Sequence, residues 1–306
     1  MVKIFEGLEN IEKINNPVIA IGNFDGVHRG HRQLISKVLE ECEKYNGNPS
    51  VLTFYPHPLT VVNPYTKIEQ ITPLNDKIRI FEEIGIKYVY VIKFDDEFSN
   101  ITAKDFIENV LVDKIGVKEV VIGYDFSFGK NKEGTVETLR EFGDIYGFKV
   151  IVVPALKEDE KVISSTKIRS FLKEGLIKNA NNFLGRPYMI KGIVIKGKKI
   201  GRLIGFPTAN LLITNYLIPR KGVYAVYAYI DDKKYKALAS IGPAPTFHID
   251  TSNFEVHILD FDDNIYGKEI TVEFVERLRG IEKFKDVEDL KLQIFEDIKK
   301  ARLILE

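Results

Sequence analysis

The sequence predicts an α/β domain built on a parallel sheet, followed by a small antiparallel β-barrel that ends with a helix. The first half alternates short apolar segments with amphipathic ones, which is the pattern of βαβ units. The second half has six short strand-like segments with turn residues between them, which is typical of a barrel. At 306 residues the chain is long enough for two domains of about 150 residues each. The pattern changes near Leu184, so the predicted domains are residues 1–183 and 184–306.

The predicted strands of the first domain are short apolar segments rich in β-branched residues, at positions 17–21, 50–54, 88–92, 119–122 and 149–153. Amphipathic segments that predict helices lie between and after them, at positions 32–45, 75–84, 103–114, 136–146 and 166–174. Ligands of a parallel sheet bind outside the carboxyl ends of its strands. We therefore expect the functional residues of this half in the loops that directly follow strands.

The second half predicts a barrel closed by short strands and followed by one helix. The strand-like segments lie at positions 187–196, 210–213, 223–230, 235–240, 253–261 and 270–278. Asp231 and Asp232 occupy a predicted hairpin tip. An amphipathic segment at 287–305 predicts the terminal helix.

The composition is that of a soluble cytoplasmic protein. Lys+Arg and Asp+Glu each number 44, which excludes a nucleic-acid binder that depends on bulk positive charge. Cys42 is the single cysteine, which excludes a disulfide framework and fits a reducing compartment. No apolar stretch approaches the roughly 18 residues of a membrane-spanning helix, and the start lacks a signal-peptide pattern. We expect neither a membrane nor a nucleic-acid partner, and the oligomeric state is left undetermined.

The first candidate site is residues 22–31, GNFDGVHRGH, directly after the predicted strand at 17–21. His28 and His31 are three residues apart at a predicted helix start, so they share one face. Free backbone amides and the helix dipole attract anions there. Gly30 has no side chain that would keep a phosphate away from the backbone. The two imidazoles therefore suit a nucleotide α-phosphate, where negative charge builds during attack.

Two other interpretations of this histidine pair stay open at this point. Histidines at this spacing also serve as zinc ligands, although no neighbouring carboxylate or cysteine completes a set. They could also solvate the end of a helix without contacting a ligand.

A second candidate phosphate site is residues 163–169, ISSTKIR. Ser164, Ser165 and Thr166 precede the apolar positions of a predicted helix, which is the pattern of an N-terminal cap with spare hydroxyl groups. An ordinary cap is the alternative interpretation. After a strand of a sheet that already has an anion site, the hydroxyls and Arg169 suit a clamp for the β- and γ-phosphates.

The second half carries a motif of its own at residues 201–210, GRLIGFPTAN. Thr208 and Asn210 alternate with Ala209, so in an extended segment their side chains face the same side. A hydroxyl and an amide oxygen are hard neutral ligands that suit Mg²⁺. The alternative is that both residues form a turn.

The stretch around this motif is cationic. Residues 184–230 contain eight Lys or Arg and no Asp or Glu. These cations cluster around glycines, which favours a polyphosphate site. The candidate phosphate-binding residues here are Gly197, Lys199, Arg202 and Gly205. The alternatives are a solvated strand face or a nucleic-acid-binding barrel, although the stretch lacks an interleaved aromatic and basic pattern.

The last candidate is Glu255, in the predicted strand FEVHILDF at residues 254–261. A carboxylate within hydrogen-bond reach of an alcohol can take its proton during phosphoryl transfer. A solvated strand residue is the alternative interpretation.

Taken in order, these motifs resemble those of the bacterial bifunctional riboflavin kinase/FAD synthetase family. GNFDGVHRGH resembles the HxGH motif of the nucleotidyltransferase superfamily, ISSTKIR resembles the second motif of this family, and GRLIGFPTAN resembles its riboflavin kinase motif. The resemblance implies a Rossmann-like nucleotidyltransferase domain that joins FMN to the AMP part of ATP, giving FAD and pyrophosphate. It implies a barrel that phosphorylates riboflavin with ATP, giving FMN and ADP. ATP is then the co-substrate, and Mg²⁺ or another divalent ion the cofactor.

The resemblance also implies roles for individual residues. The catalytic residues that it implies are Glu255 in the kinase and His28, His31 and Arg169 in the adenylyltransferase. The candidate nucleotide-binding residues of the first domain are Gly22, Asn23, Asp25, Gly30, Ser164, Ser165 and Thr166. The candidate flavin-binding residues are His57, Asp125 and Arg279, although His57 suits a capping or core position equally well. The family often has Asn at the position of Asp125 and Arg at the position of Lys132. These departures put the adenylyl transfer at greater risk, so the rival prediction is an enzyme that retains only one of the two activities.

Overall fold

The computed structural model describes residues 1–63, 65, 68–197, 200–242 and 253–305. The predicted phosphate-binding residue Lys199 lies outside the described residues. The chain divides into two units, Met1–Ser164 and Ser165–Glu306. Among the described residues no helix has the length and apolar character that crossing a bilayer requires.

The first unit contains the predicted parallel sheet. Its strands are β1 (Lys3–Glu6), β2 (Pro17–Ile21), β3 (Asn48–Tyr55), β4 (Tyr88–Lys93), β5 (Glu119–Gly123) and β6 (Lys149–Val153). They lie in the order β1-β4-β3-β2-β5-β6, and all neighbours are parallel. Five of these strands were predicted. Strand β1 was not, because it is a four-residue edge strand in which only Phe5 is buried.

The helices of this unit are α1 (Arg29–Tyr45), α2 (Pro58–Val62), α3 (Leu74–Ile84), α4 (Asp96–Ser99), α5 (Ala103–Asp105) and α6 (Val136–Tyr146). The predicted helix at 103–114 continues from α5 in wider π-type turns over Phe106–Ile115. A 3₁₀ turn at Lys130–Lys132 and a small hairpin of β7 (Lys157–Glu158) and β8 (Lys161–Val162) complete the unit. The predicted helix at 32–45 begins three residues earlier, at Arg29.

Apolar residues cover both faces of the sheet. Along β2, Ile19 and Ile21 belong to one buried cluster, and Val18 and Ala20 belong to the other. This alternation follows from the two-residue period of a strand. Because both faces are covered, the strands are nearly continuous apolar segments.

The loop after β2 lies where the strand order reverses. From β2 the chain adds β3 and β4 on one side and then returns to add β5 and β6 on the other. Such a switch point opens a crevice at the carboxyl ends of the two adjacent strands. The topology therefore places the GNFDGVHRGH segment at the usual ligand position of a parallel sheet.

The second unit is the predicted barrel. Its strands are β9 (Tyr188–Ile195), β10 (Ala209–Leu212), β11 (Gly222–Ile230), β12 (Lys233–Gly242), β13 (Asn253–Ile258) and β14 (Glu269–Arg279). They close in the order β10-β13-β12-β11-β14-β9. Its helices are α7 (Ser165–Glu174), α8 (Ile177–Leu184), α9 (Ile200–Leu203) and the terminal α10 (Val287–Ile304). The predicted hairpin tip is confirmed, because Asp231 and Asp232 have left-handed φ values of 47° and 64° between β11 and β12.

Helices α7 and α8 are joined to the barrel by hydrogen bonds to its backbone, two of them made by the side chain of Asn181. The Asn181 amide donates to the Phe274 carbonyl at 2.9 Å and accepts from the Tyr188 N–H at 2.8 Å. The Arg220 N–H donates to the Leu172 carbonyl at 3.0 Å. The compact unit that contains the barrel thus begins at Ser165. The functional boundary at 183/184 rests on motifs and stays a prediction.

Candidate functional site

The loop after β2 has an unusual backbone. Gly22 donates its N–H to the Leu52 carbonyl at 3.1 Å, which continues the pairing with β3. Phe24 and Val27 then adopt φ values of 50° and 40°. This left-handed region is uncommon for residues other than glycine and is a marked outlier for a β-branched residue such as Val27. Such backbone strain persists only where the surroundings impose it, and it concentrates at functional sites.

His28 and His31 stack at the start of α1, as the spacing predicts. His28 is the N-cap residue, and its Nδ1 accepts a hydrogen bond from the His31 N–H at 3.3 Å. The two rings are stacked, with centroids 3.6 Å apart. A Cβ on Gly30 would lie 3.2 Å from the His28 ring, so a side chain at this position would require that ring to shift by a few tenths of an ångström.

Polar atoms in this loop are buried without a protein partner. Among the described residues, His31 Nδ1 and Asn23 Oδ1 are buried and have no hydrogen-bond partner. Burial, reinforced by the charges of His28 and Lys77, holds the pKa of His31 well below its usual 6.5. Buried unsatisfied polar groups in a native protein indicate a ligand, an ion or water at that position. A neutral imidazole with a free ring nitrogen can face such a polar ligand.

The free energy of unfolding is expected to fall as the pH drops below about 6.5, and His31→Gln should remove part of that fall. The folded chain holds the pKa of His31 below 6.5, so the unfolded chain binds that proton first. The stabilisation is therefore complete above about pH 6.5 and is lost progressively at lower pH, by at most about 1.4 kcal/mol per pH unit. Urea unfolding followed by circular dichroism at several pH values measures this. The prediction would be contradicted if the free energy of unfolding changed with pH by the same amount in wild type, His31→Gln and the control His257→Gln.

Asp25 is placed as a structural anchor. Its buried carboxylate accepts hydrogen bonds from the N–H groups of Ile71 at 3.2 Å and Thr72 at 3.0 Å. These bonds tie the loop after β2 to the segment that precedes α3. The predicted contact of Asp25 with ATP stays a prediction.

The three predicted flavin-binding residues have different surroundings. His57 caps α2, since its Nδ1 accepts from the Leu59 N–H at 3.2 Å. Asp125 is exposed shortly after the end of β5. Arg279 binds the buried Asp297 of α10 with two guanidinium nitrogens, at 2.8 and 2.9 Å from Oδ2. The flavin contacts of all three stay predictions.

The segment ISSTKIR begins α7 as predicted. The helix starts at Ser165, and its buried face consists of Ile168, Phe171 and Leu172. Thr166 is exposed, and Arg169 is half-buried. The amphipathic helix start is thereby confirmed, and the clamp on phosphates stays a prediction.

The barrel brings the kinase candidates together. Glu255 on β13 accepts from the Thr208 hydroxyl at 2.9 Å through Oε2 and from the Asn253 amide at 2.6 Å through Oε1. Asn210 on β10 is the register partner of Glu255. A Cβ on Gly197 would lie 2.2 Å from the Asn210 amide, so that glycine is required for the Asn210 side chain to lie there.

A cavity of about 290 Å³ adjoins this group, close to the lower end of the range for small-molecule sites. Its lining includes Thr208 and Arg202, together with Asp262, Asp263 and Tyr266. Asp262, Asp263 and Tyr266 were not predicted as site residues from the sequence. The DFDDNIYG segment that follows β13 offered a signal, because it is polar and comes directly after a barrel strand.

Sequence reasoning also missed Lys77, whose side chain is buried in the first unit. Its amine donates to the Asn23 carbonyl at 2.9 Å. A signal was present, because Lys77 stands three and four residues before Ile80 and Phe81, on the apolar face of the predicted helix. A lysine on such a face is rarely buried without a specific partner.

The chain was compared with known protein families and with solved structures. A FAD synthetase family model matches residues 10–167, and a riboflavin kinase family model matches residues 184–305. A solved structure described as a macrolide-efflux protein from Streptococcus pneumoniae superposes with a TM-score of 0.92. It is 32% identical and covers 98% of this chain and 99% of that chain.

Two curated relatives extend over nearly the whole chain. The bifunctional riboflavin kinase/FMN adenylyltransferase of Bacillus subtilis is 39% identical over 290 residues, which cover 93% of this chain and 91% of that protein. The enzyme of the same name from Escherichia coli K12 is 37% identical over 304 residues, covering 98% and 97%. Both family models and these relatives agree with the order of the motifs. The chain therefore belongs to the bifunctional riboflavin kinase/FMN adenylyltransferases, which convert riboflavin to FMN and FMN to FAD.

Proposed function

We propose that the two reactions use separate residues in the two parts of the chain, with adenylyl transfer in residues 1–183 and riboflavin phosphorylation in residues 184–306. The family models support this division, because one ends at residue 167 and the other begins at residue 184. As part of the same proposal we place the enzyme in the cytoplasm, where its single cysteine suits a reducing environment.

In adenylyl transfer, His28 and His31 stabilise the charge that develops on the α-phosphate of ATP. The nucleophile is the phosphate of FMN, which is already an anion, so the step needs electrostatic stabilisation and no general base. The observation that carries this role is the stacked pair at the N-terminus of α1, with its buried and unpartnered His31 Nδ1. The helix start adds the positive end of the helix dipole.

Further nucleotide and flavin contacts belong to the same proposal. The β- and γ-phosphates are bound by the hydroxyl groups of Ser164, Ser165 and Thr166 and by the guanidinium of Arg169. In the segment after β2, the nucleotide is contacted by backbone and side-chain groups of Gly22, Asn23, Asp25 and Gly30. Flavin contacts come from His57 and Asp125 in the first domain and from Arg279 in the barrel. The phosphate contacts of the kinase come from Gly197, Lys199, Arg202 and Gly205.

In the kinase reaction, Glu255 accepts the proton of the riboflavin hydroxyl as it attacks the γ-phosphate of ATP. An alcohol is a poor nucleophile, so a carboxylate within hydrogen-bond reach lowers the barrier. Thr208 and Asn253 each hold one oxygen of Glu255. These two bonds fix the orientation of the carboxylate before a substrate arrives.

The oxygen atoms around Glu255 fit Mg²⁺. The hydroxyl of Thr208 and the amide oxygen of Asn210 are hard ligands, and Thr208 Oγ1 lies 2.9 Å from Glu255 Oε2. Such a small set suits Mg²⁺, which keeps waters and phosphate oxygens as its other ligands. We propose that Thr208 and Asn210 hold the ion, which, when bound, would neutralise phosphate charge.

Thr208→Ala is expected to raise the Mg²⁺ concentration for half-maximal FMN formation. Loss of an outer-shell partner alone typically costs about 10–100-fold in metal affinity, and loss of a direct ligand such as Thr208 should cost at least as much. Purified full-length enzyme is incubated with riboflavin and ATP over a range of Mg²⁺ concentrations, and the flavins are separated by chromatography. Thr271→Ala, which alters a threonine elsewhere on the barrel, is the matched control. An unchanged Mg²⁺ dependence would remove Thr208 from the metal site, and a wild-type enzyme that forms no FMN would refute the kinase assignment.

A further inference from the structure

Lys77 is a buried lysine whose amine reaches the loop that carries the histidine pair. The residue is only 6% exposed on α3. Its Nζ donates to the Asn23 carbonyl at 2.9 Å and to the Thr53 hydroxyl at 3.4 Å. Thr53 in turn donates to the same Asn23 carbonyl at 3.2 Å. Two donors from two different elements thus converge on one backbone oxygen.

Such a position is costly for a lysine. Burial disfavours its charged form and lowers the pKa of Lys77 to about 8, while the nearby Asp25 carboxylate opposes this shift. A buried cation is strongly disfavoured unless it is paired and hydrogen-bonded. An apolar residue would fill the same place on the helix face beside Ile80 and Phe81 without that cost. The lysine therefore needs a role beyond core packing.

The loop that Lys77 contacts needs external support. Phe24 and Val27 lie in the left-handed region, with Gly26 between them at a φ of 89°. Backbone of this kind is strained and persists only when other contacts impose it.

The segment around the start of α3 supplies this support at two points. The N–H groups of Ile71 and Thr72 bind the Asp25 carboxylate, and Lys77, five residues after Thr72, binds the Asn23 carbonyl. The first contact holds the loop by the side chain of Asp25, and the second holds it by the backbone carbonyl of Asn23.

Lys77 is linked to His31 by packing and by charge. The ring of Phe24, the residue after Asn23, packs edge-on against His31 with centroids 5.2 Å apart and against Phe81 at 5.6 Å. The charges that face His31 are those of His28 and Lys77, and both disfavour its protonation. Displacement of the Asn23 carbonyl would therefore shift Phe24 and, through it, the imidazole.

We propose that Lys77 is a positioning residue for adenylyl transfer, which holds the Asn23 carbonyl together with Thr53 and thereby fixes the loop that places His31. This inference rests on the proposed function of the histidine pair. Lys77 acts through the loop, without contact to the reacting atoms. Its removal should therefore affect turnover more than substrate binding, because misplacing a catalytic group by about 1 Å can cost about 10²-fold in rate.

Lys77→Met in the full-length enzyme tests the inference. We expect kcat for FAD formation from FMN to fall about 10–100-fold, with KM for ATP changed less than about threefold and FMN formation from riboflavin unchanged. The pKa of His31, measured by NMR of the histidine side chains, should rise because a facing positive charge is gone. Arg79→Met removes an exposed cation from the same helix and should change none of these quantities.

Thr53→Val provides a second variant in case Lys77→Met fails to fold, as judged by circular dichroism. It removes one donor to the Asn23 carbonyl and should lower kcat for FAD formation roughly two- to tenfold. His28→Ala serves as the reference. If His28→Ala abolishes FAD formation while Lys77→Met and Thr53→Val leave kcat and the His31 pKa unchanged, the inference about Lys77 is wrong. If His28→Ala itself leaves FAD formation intact, the proposed role of the histidine pair fails instead.

Discussion

Glu255→Gln is expected to lower FMN formation from riboflavin by about 10²–10⁴-fold, the usual cost of removing a general base. The substitution preserves the shape of the side chain and one of its two acceptor oxygens, so it can keep the bond from either Thr208 or Asn253. It removes the group that takes the proton. FAD formation from added FMN should be unchanged, because that reaction uses an anionic nucleophile. The two rates are measured on one preparation by chromatographic separation of riboflavin, FMN and FAD.

Glu276→Gln is the matched control for this prediction. Glu276 lies on β14, where it forms an ion pair with Lys178, and its replacement should leave FMN formation within about twofold of wild type, as for most surface changes. If Glu255→Gln retained wild-type FMN formation at saturating riboflavin, Glu255 would not be the base. If both activities fell together, the separation of sites would be wrong.

His28→Ala and His31→Ala are expected to give the opposite result, with FAD formation reduced by about 10²–10³-fold. Each substitution removes a donor from the site where charge develops on the α-phosphate, and each also breaks the stacked pair. FMN should accumulate from riboflavin at the wild-type rate, with little FAD. His257→Ala, which alters a histidine of the barrel, should leave FAD formation from FMN unchanged.

A mixture of the two variants provides an internal control for both predictions. Neither Glu255→Gln nor His28→Ala alone should make FAD from riboflavin at an appreciable rate. Together they should do so, because the FMN made by one protein can diffuse to the other. A His28 or His31 variant that lost riboflavin phosphorylation and kept FAD synthesis from FMN would contradict the assignment.

Local patterns were sufficient to predict most of the fold. The apolar segments gave five of the six strands of the parallel sheet, and the turn signals gave all six strands of the barrel. The short helices α2, α4 and α9 were missed, because four or five residues are too few to establish a 3.6-residue period. The π-type turns over Phe106–Ile115 were also missed, since they carry the same apolar pattern as an ordinary helix.

Motif spacing was likewise sufficient for the family and for the two activities, which the family models and the relatives confirm. His28 and His31 were recognisable because their relation is local: residues three apart at a helix start share a face whatever the rest of the chain does. The helix start at Ser165 was predictable for the same reason, from the hydroxyl residues that precede an apolar period.

The contacts that orient these groups were decided by the tertiary structure. The hydrogen bond from Thr208 to Glu255 joins residues 47 apart in sequence, and the bond from Lys77 to Asn23 joins residues 54 apart. Asp25 looked like a nucleotide ligand in the motif, and the fold gives its carboxylate two backbone N–H groups from the segment before α3. The physical reason is that periodicity and capping report only on neighbours along the chain, whereas these bonds form because sheet order and barrel closure bring distant strands and helices side by side.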